Sequence, residues 1–337
     1  METMFQYINE TPLQCRENIQ NSKELTKPVV EAFCKKDYKR IEIIASGSSY
    51  NASMTAKYFI EKILTLKVEV LSSYTACHCE TIFEDDTFYL GIGQSGRSTN
   101  TNDAMKKVRE NGQIVVGLTG NTESVMKDHC DVICNWGMGI EKIGFVTKGY
   151  STAVLFYMLF ALEAAREKKI IKQDEYDNYI QEMFKMCDVM EKAIPVVDGW
   201  YAANAFELYD FNRVQVLGYG SGYGLALEGA LKIQETMGVA SSAHEIEEFL
   251  HGPCYELNPE KSVIIIDISG DSKDRVLKLY HELHTLTPKI FLVTNCSMDD
   301  KRVLTIEHDL DEYMSVLVNA IALQTIGAHG REKWINP

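Results

Sequence analysis

Hydrophobic and polar positions along the chain follow strand-like and helix-like patterns in turn. β-Branched and aliphatic runs at residues 40–45 and 213–218 each end at a Gly-Ser turn, and helical patterns follow at 51–63 and 224–237. Such strand–turn–helix segments predict an α/β protein. Further strands are predicted at 88–93, at 113–118, up to Ile268 and at 289–294, with helices at 102–110 and 275–283.

The two halves of the chain repeat one unit. Arg40 to Tyr50 lines up without a gap on Arg213 to Tyr223, and the strand and turn at 88–98 correspond to a strand and turn that end at Ser272. Strands that alternate with helices are typical of parallel sheets covered on both faces. We therefore predict two doubly wound, flavodoxin-like parallel-sheet domains related by internal duplication, with flanking helices.

Segments without strand alternation flank the two halves. The stretches 4–34 and 163–206 show helical spacing, and we expect methionines such as Met183 and Met190 to lie in the core rather than in a cofactor site. The predicted order is an N-terminal helical segment at 1–37, a first domain at 38–165, linking helices at 166–206 and a second domain at 207–337.

Composition narrows the class of protein. The 337 residues are 45% hydrophobic, which suits a large core and about two domains. A net charge of −14 argues against binding nucleic acid or a membrane surface, because most of the protein surface would repel a polyanion. A small anionic ligand can still bind, since it needs only one local site that is not negatively charged. The apolar run at 153–162 is too short to span a bilayer, so we expect a cytoplasmic protein.

The nine cysteines are scattered without a Cys-x-x-Cys pair, which fits reduced thiols better than a disulfide framework. The ligand-type residues of Cys77-His78-Cys79 are too close together for a tetrahedral zinc site, and no partner pair follows at zinc-finger spacing. We therefore predict no metal site.

The first half has the better candidate phosphate site. In open parallel sheets, ligands bind beyond the carboxyl ends of strands, where helix N-termini favour an anion. Both Gly/Ser turns of this half lie at such ends, so we expect them to surround a phosphomonoester, although ordinary helix caps and turn glycines are the alternative. The predicted residues are Gly47, Ser48, Ser49, Gln94, Ser95, Gly96 and Ser98.

The second half differs at the matching positions. Ser49 corresponds to Gly222, and Arg97 corresponds to Asp271, whose carboxylate would repel a phosphate. We therefore predict one phosphate site per chain, within residues 40–100.

Five motifs resemble those of a known family over residues 38 to 325. They are Ala45-Ser46-Gly47-Ser48-Ser49-Tyr50-Asn51, Gln94-Ser95-Gly96, Thr147-Lys148, Ala226-Leu227-Glu228-Gly229-Ala230-Leu231-Lys232 and His251-Gly252-Pro253. The sequence resembles the SIS (sugar isomerase) family, which includes the isomerase part of glucosamine-6-phosphate synthase and the fructosamine-6-phosphate deglycases.

The resemblance implies roles for individual residues. Sugar-phosphate contacts fall on Ser49, Gln94, Ser95 and Ser98, whereas Gly93 stands where the family often has a serine, so we expect a backbone amide to replace one hydrogen bond to phosphate.

In the second half, Lys232 is placed among the substrate-binding residues, and Glu235 falls on the catalytic glutamate of the family. His251 falls on its active-site histidine, which in relatives crosses a dimer interface. The resemblance therefore implies a homodimer.

Both catalytic assignments have alternatives. Glu235 at the end of a helix could simply pair with Lys232, which would be worth a few tenths of a kcal/mol. We expect residues 243–253 to form a loop that holds the reactive histidine. His244 is the rival to His251, and the Gly-Pro context favours His251.

These groups suit a proton transfer between carbon and oxygen through an enediol or enaminol. We assign that transfer to Glu235, and ring opening and protonation of a departing amine to His251, with no metal or organic cofactor. Tyr50, Thr147, Lys148 and Tyr150 are candidates to line the rest of the pocket, with packing as the alternative.

Two absences favour a deglycase over an amidotransferase. The sequence has no glutaminase part, and Gly330 to Pro337 does not match the tail that supplies a Schiff-base lysine in the synthase, so Lys333 is given no such role. We predict a fructosamine-6-phosphate deglycase. An aldose–ketose phosphosugar isomerase and a non-catalytic sugar-phosphate sensor are the alternatives.

Overall fold

The structure is a computed structural model that describes residues 2–335, with side chains through Glu332. The side chain of Lys333 therefore lies outside the described part. The chain divides into two compact units. The first-half unit comprises Leu13–Glu141 and Lys148–Gln181, and the second-half unit comprises the chain up to Pro12, Lys142–Thr147 and the chain from Glu182 onward.

The first-half unit is built around a fully parallel sheet. Its strand order is β2-β1-β3-β4-β5, as a doubly wound fold requires. In chain order the elements are α1 (Met4–Gln20, partly in this unit), α2 (Ser22–Phe33), β1 (Arg40–Ala45), α3 (Ser48–Leu64), β2 (Lys67–Ser72), α4 (Ser73–His78), β3 (Thr87–Ile92), α5 (Thr99–Glu110), β4 (Val115–Thr119), a 3₁₀ turn (Val125–Asp128), β5 (Val132–Asn135), α6 (Lys148–Glu167) and the start of α7 (Gln173–Tyr209).

The second-half unit has a second parallel sheet with the same topology. Its order is β10-β9-β8-β6-β7, which is the first order read from the other edge. After α7 come β6 (Arg213–Gly218), α8 (Ser221–Met237), β7 (Ala240–Glu245), 3₁₀ turns at Glu248–His251 and Pro253–Glu256, β8 (Ser262–Ile266), α9 (Lys273–Leu283), β9 (Ile290–Thr294), β10 (Val303–Thr305) and α10 (Glu312–Ile335). The predicted duplicated α/β fold is confirmed.

Burial explains why the central strands were readable from the sequence. In β6 the five residues after Arg213 are all buried, because helices cover both faces of the sheet. Met183 and Met190 on α7 are also fully buried, which confirms their prediction as core residues. The predicted domain boundaries stay a prediction.

Strands at or near the sheet edges were missed. β2, β5, β7 and β10 are short or half polar, so a periodicity of two is weak in them. The loop predicted at 243–253 is wrong for Ala243 to Glu245, which belong to β7. None of the helices described between residues 2 and 335 is long and apolar enough to cross a membrane.

Candidate active site

The turn between β1 and α3 depends on Gly47. Its φ of +58° and ψ of −137° lie in a region that side-chain-bearing residues rarely enter. The amide of Asn51 donates to the Gly47 carbonyl and begins the helix. Ser48 is buried, Ser49 is half-buried, and both lie in the first turn of α3, where backbone amides point toward a potential anion.

The turn between β3 and α5 depends on Gly96, with a φ of +63°. A Cβ atom at this position would lie 1.9 Å from Ser124 Oγ, so only glycine fits. Ser95 is exposed, and its Oγ accepts the amide of Arg97 at 3.3 Å. Ser98 precedes the first residue of α5, and its Oγ accepts the Thr101 hydroxyl at 3.0 Å.

Strand pairing places the two turns side by side. β1 pairs with β3 in parallel, with Ile44 opposite Gly91, so both strands end at one edge of the sheet. The structure thus brings the residues predicted to bind phosphate onto neighbouring turns of one unit.

Two residues of the second turn are already engaged. The Gly93 amide donates to the Leu118 carbonyl at 3.0 Å, so a replacement for the family's serine must come from another residue. Gln94 donates through Nε2 to Glu141 Oε2 at 3.2 Å, while its carbonyl accepts the Gly120 amide at 3.0 Å. Gln94 is therefore held by both side chain and backbone.

Two of the four further pocket candidates, Tyr150 and Thr147, make contacts typical of packing. Tyr150 is buried, and its hydroxyl lies 2.7 Å from Thr55 Oγ1. Thr147 is buried, and its hydroxyl donates to the Phe145 carbonyl at 2.9 Å. These contacts favour the packing alternative for both residues.

In the second-half unit, α8 holds a buried ion cluster. Lys232 is fully buried, and its Nζ lies 3.2 Å from Glu228 Oε1 and also contacts Glu235 Oε1. Glu228 is 1% exposed and Glu235 is 27% exposed. The predicted Lys232–Glu235 pair is therefore confirmed as a contact, but it belongs to a desolvated three-residue cluster rather than to an exposed helix face.

Burial governs the protonation of this cluster. It raises the pKa of Glu235, although Lys232 opposes the shift and Glu228 adds to it. Burial alone would lower the pKa of Lys232, but the two carboxylates outweigh it and hold the ammonium charged. A partly exposed carboxyl group with a raised pKa is suited to accept and return a proton.

Glu228 was quoted within a motif but given no role in the sequence analysis. Its position four residues before Lys232 is the signal that could have revealed it, because residues at i and i+4 share one helix face.

The two candidate histidines differ in their surroundings. His251 ends the 3₁₀ turn at Glu248–His251 and is exposed. His244 lies on β7, with Nε2 3.0 Å from Gln215 Oε1, and burial lowers its pKa. His244 thus belongs to a hydrogen-bonded contact with the sheet, and the assignment to His251 stays a prediction.

Part of the acidic run beside His251 caps the backbone that leads into the 3₁₀ turn at Glu248–His251. Glu245 Oε2 accepts the amides of Glu247 and Glu248 at 2.8 and 3.0 Å, and Glu247 pairs with Arg275. Among the residues that the structure describes, no three His, Cys, Asp or Glu side chains lie close enough together to hold a metal.

Comparison with known proteins identifies the class. The chain matches the SIS domain family over residues 36–163 and 207–312, well over half its length, and belongs to that family.

Two relatives are glutamine–fructose-6-phosphate aminotransferases (isomerizing). The protein from Clostridium tetani is 28% identical over 270 residues, which cover 80% of this chain and 43% of the relative. The protein from Thermococcus kodakarensis is 26% identical over 335 residues, which cover 97% and 54%. The chain spans about half the length of these relatives.

Solved structures agree with the fold. A protein from Clostridium difficile 630, provisionally named a phosphosugar isomerase, has a TM-score of 0.90 and 27% identity, with coverage of 99% of this chain and 94% of that chain. The C-terminal domain of glucosamine-fructose-6-phosphate aminotransferase from Francisella tularensis has a TM-score of 0.84 and 22% identity, with coverage of 98% and 96%.

Proposed function

We propose that the chain is a phosphosugar-processing enzyme, and specifically a fructosamine-6-phosphate deglycase. The observation that carries this proposal is the buried cluster of Glu228, Lys232 and Glu235 in a member of the SIS family. A sugar-phosphate sensor would not need a buried, charged lysine between two carboxylates, which is costly to maintain.

The proposed reaction begins with phosphate recognition. Hydroxyls of Ser49, Ser95 and Ser98, together with first-turn amides of α3 and α5, hold the 6-phosphate. His251 assists opening of the sugar ring, which exposes the C2 carbonyl of the 1-amino-1-deoxy-ketose.

Glu235 then takes a proton from C1 while the C2 oxygen gains a proton from water, forming an enaminol. Glu235 returns its proton to C2 as the nitrogen gives up its N–H proton to water, which leaves an imine at C1. Water adds at C1, and the C1–N bond breaks as the nitrogen receives a proton. The products are a hexose 6-phosphate and a free amine. Lys232 stays charged and sets the position of the Glu235 carboxylate.

His251 is proposed to act across a homodimer, as the family resemblance implies. Its exposed position at the end of a short 3₁₀ turn supports a role toward a second copy of the chain.

A phosphosugar isomerase without amine release is the second candidate. The similarity to the Clostridium difficile protein of that provisional name favours it. The same C1–C2 proton transfer by Glu235 would then interconvert an aldose and a ketose.

The test is incubation with a fructosamine 6-phosphate and, separately, with fructose 6-phosphate, while amine release and isomer formation are followed. We expect amine release that falls about 10³-fold in Glu235→Gln and is unchanged in Lys62→Gln, an exposed site on α3. Isomer formation without amine release would replace the deglycase by the isomerase, and saturable binding without turnover would leave a sensor.

A further inference from the structure

The backbone conformation of the segment between β5 and α6 places the carboxylate of Glu141 at the N-terminus of α6. Gly137 and Gly139 have φ of +77° and +65°, so the chain turns twice in the left-handed region. Cβ atoms there would lie 2.7 Å from Asn18 Oδ1 and 2.4 Å from Gln14 Oε1. Asn18 also donates to the Gly137 carbonyl at 2.9 Å, so α1 holds this segment in place.

The carboxylate that follows these glycines, Glu141, occupies the N-terminus of α6. Its oxygens accept the amides of Lys148 at 3.0 Å and Gly149 at 2.9 Å. Two charge-assisted hydrogen bonds at the positive end of a helix fix the carboxylate.

The same carboxylate determines the orientation of the side-chain amide of Gln94. Gln94 Nε2 lies 3.2 Å from Glu141 Oε2, and an ionised carboxylate only accepts hydrogen bonds, so the amide nitrogen must point toward it. The backbone carbonyl of Gln94 accepts hydrogen bonds from the Gly120 amide and the Thr119 hydroxyl, which fixes the backbone at this position. The side-chain Oε1 therefore faces away from Glu141 and can only accept.

A phosphate dianion has no proton to donate to Oε1, whereas a sugar hydroxyl does. We infer that Glu141 is a positioning residue that orients Gln94 to read a sugar hydroxyl, while the serines and helix amides hold the phosphate. This inference rests on the proposed sugar-phosphate function.

The test is calorimetric titration of fructose 6-phosphate and of inorganic phosphate into Glu141→Gln. A glutamine at position 141 can turn either its oxygen or its nitrogen toward Gln94, so the side-chain amide of Gln94 is no longer held in one orientation. We expect the Kd for fructose 6-phosphate to rise about five- to tenfold, the loss of one net hydrogen bond, and the Kd for phosphate to change less than twofold. Glu110→Gln, on the exposed end of α5, is the matched control.

A double-mutant cycle separates positioning from general support of the fold. Gln94→Ala should show the same selective loss and tests the inference even where Glu141→Gln folds poorly. Glu141→Gln should add little in the Gln94→Ala background, because Glu141 acts through Gln94.

Three results would each overturn this inference but leave the proposed function standing. They are unchanged affinity of Glu141→Gln for fructose 6-phosphate, equal losses of affinity for fructose 6-phosphate and phosphate, and additive losses in the double variant. Wild-type protein that binds neither ligand would overturn the proposed function and this inference with it.

Discussion

The turns after β3 and β8 occupy matching places in the two halves, yet they differ in the side chain at one matching position. In the second half, buried Asp267 accepts the Ser269 amide through Oδ1 at 2.9 Å and the Thr294 hydroxyl through Oδ2 at 2.7 Å. The matching residue in the first half is Gly93, which has no side chain. The second half thus carries a buried, hydrogen-bonded carboxyl group at this turn, while the first half has no side chain there, which agrees with the proposed phosphate site in the first half.

The helices α3 and α8 show the reverse difference. The cluster of Glu228, Lys232 and Glu235 on α8 corresponds to Thr55, Phe59 and Lys62 on α3. Thr55 and Phe59 are buried without charge, and Lys62 is exposed. The two helices thus match in the duplicated fold but differ in buried charge, as the proposed division between ligand binding in the first half and proton transfer in the second requires. This contrast can be broken or sharpened experimentally.

The largest expected effect on stability is at Lys232. In Lys232→Met, Glu228 and Glu235 are left as like charges without their cation, so we expect unfolding free energy to fall by about 3–5 kcal/mol in urea titrations. Lys62→Met at the matching exposed region of α3 should change it by less than about 0.5 kcal/mol. Equal effects at the two positions would remove the distinction between the helices.

A second contrast lies at matching positions of β1 and β6. Burial, with Glu80 and Glu69 nearby, raises the pKa of Glu42 to about 7, and among the described residues its Oε1 has no hydrogen-bond partner. Its counterpart Gln215 is satisfied by Glu256 and His244.

Because folded Glu42 keeps its proton from pH 4.5, its usual pKa, to about 7, while the unfolded chain has lost it, stability falls as pH rises through that window. Glu42→Gln should flatten this slope and raise unfolding free energy by about 3 kcal/mol at pH 8, since each pKa unit is worth about 1.4 kcal/mol. Urea titrations at pH 4.5 and 8 check it, with Gln215→Glu expected to act in the opposite direction. No gain at pH 8 would show that Glu42 is already stabilised as an anion.

The glycines of the two turns should differ in tolerance. Gly96 has a positive φ and is packed against Ser124, whereas at the matching turn the positive φ belongs to Ser269, and a Cβ at Gly270 would meet the movable carboxylate of Glu312. We expect Gly96→Ala to cost about 2–3 kcal/mol in urea titrations and Gly270→Ala about 1 kcal/mol or less. The opposite order would mean that the two turns are not built as described.

The smallest expected effect concerns the missing hydroxyl. A Cβ at Gly93 would lie 3.4 Å from Met126 Cε, so a serine fits there with little adjustment. Gly93→Ser should tighten binding of fructose 6-phosphate about fivefold by adding one hydrogen bond, roughly 1 kcal/mol, as calorimetry would measure. Weaker binding would argue that phosphate does not lie at this turn.

The central strands and both Gly/Ser turns were predictable, because buried aliphatic runs that end in glycine leave a strong pattern. β7 was not, since Ala240 to Glu245 is polar and pairs along one side only. Glu228 could have been found from its helical spacing to Lys232. Glu141 could not have been found from the sequence, because its contact with Gln94 joins residues that are 47 positions apart. The contact also depends on two glycines with positive φ, which shape the segment before Glu141.

The central proposal is that residues of the first half bind the sugar phosphate and residues of the second half carry the proton transfer. Calorimetric titration of fructose 6-phosphate into the double variant Ser95→Ala/Ser98→Ala and into Glu235→Gln tests it most directly. The account predicts a Kd at least about tenfold weaker in the serine variant and within about twofold of wild type in Glu235→Gln. Wild-type affinity in the serine variant, or loss of binding in Glu235→Gln alone, would contradict it.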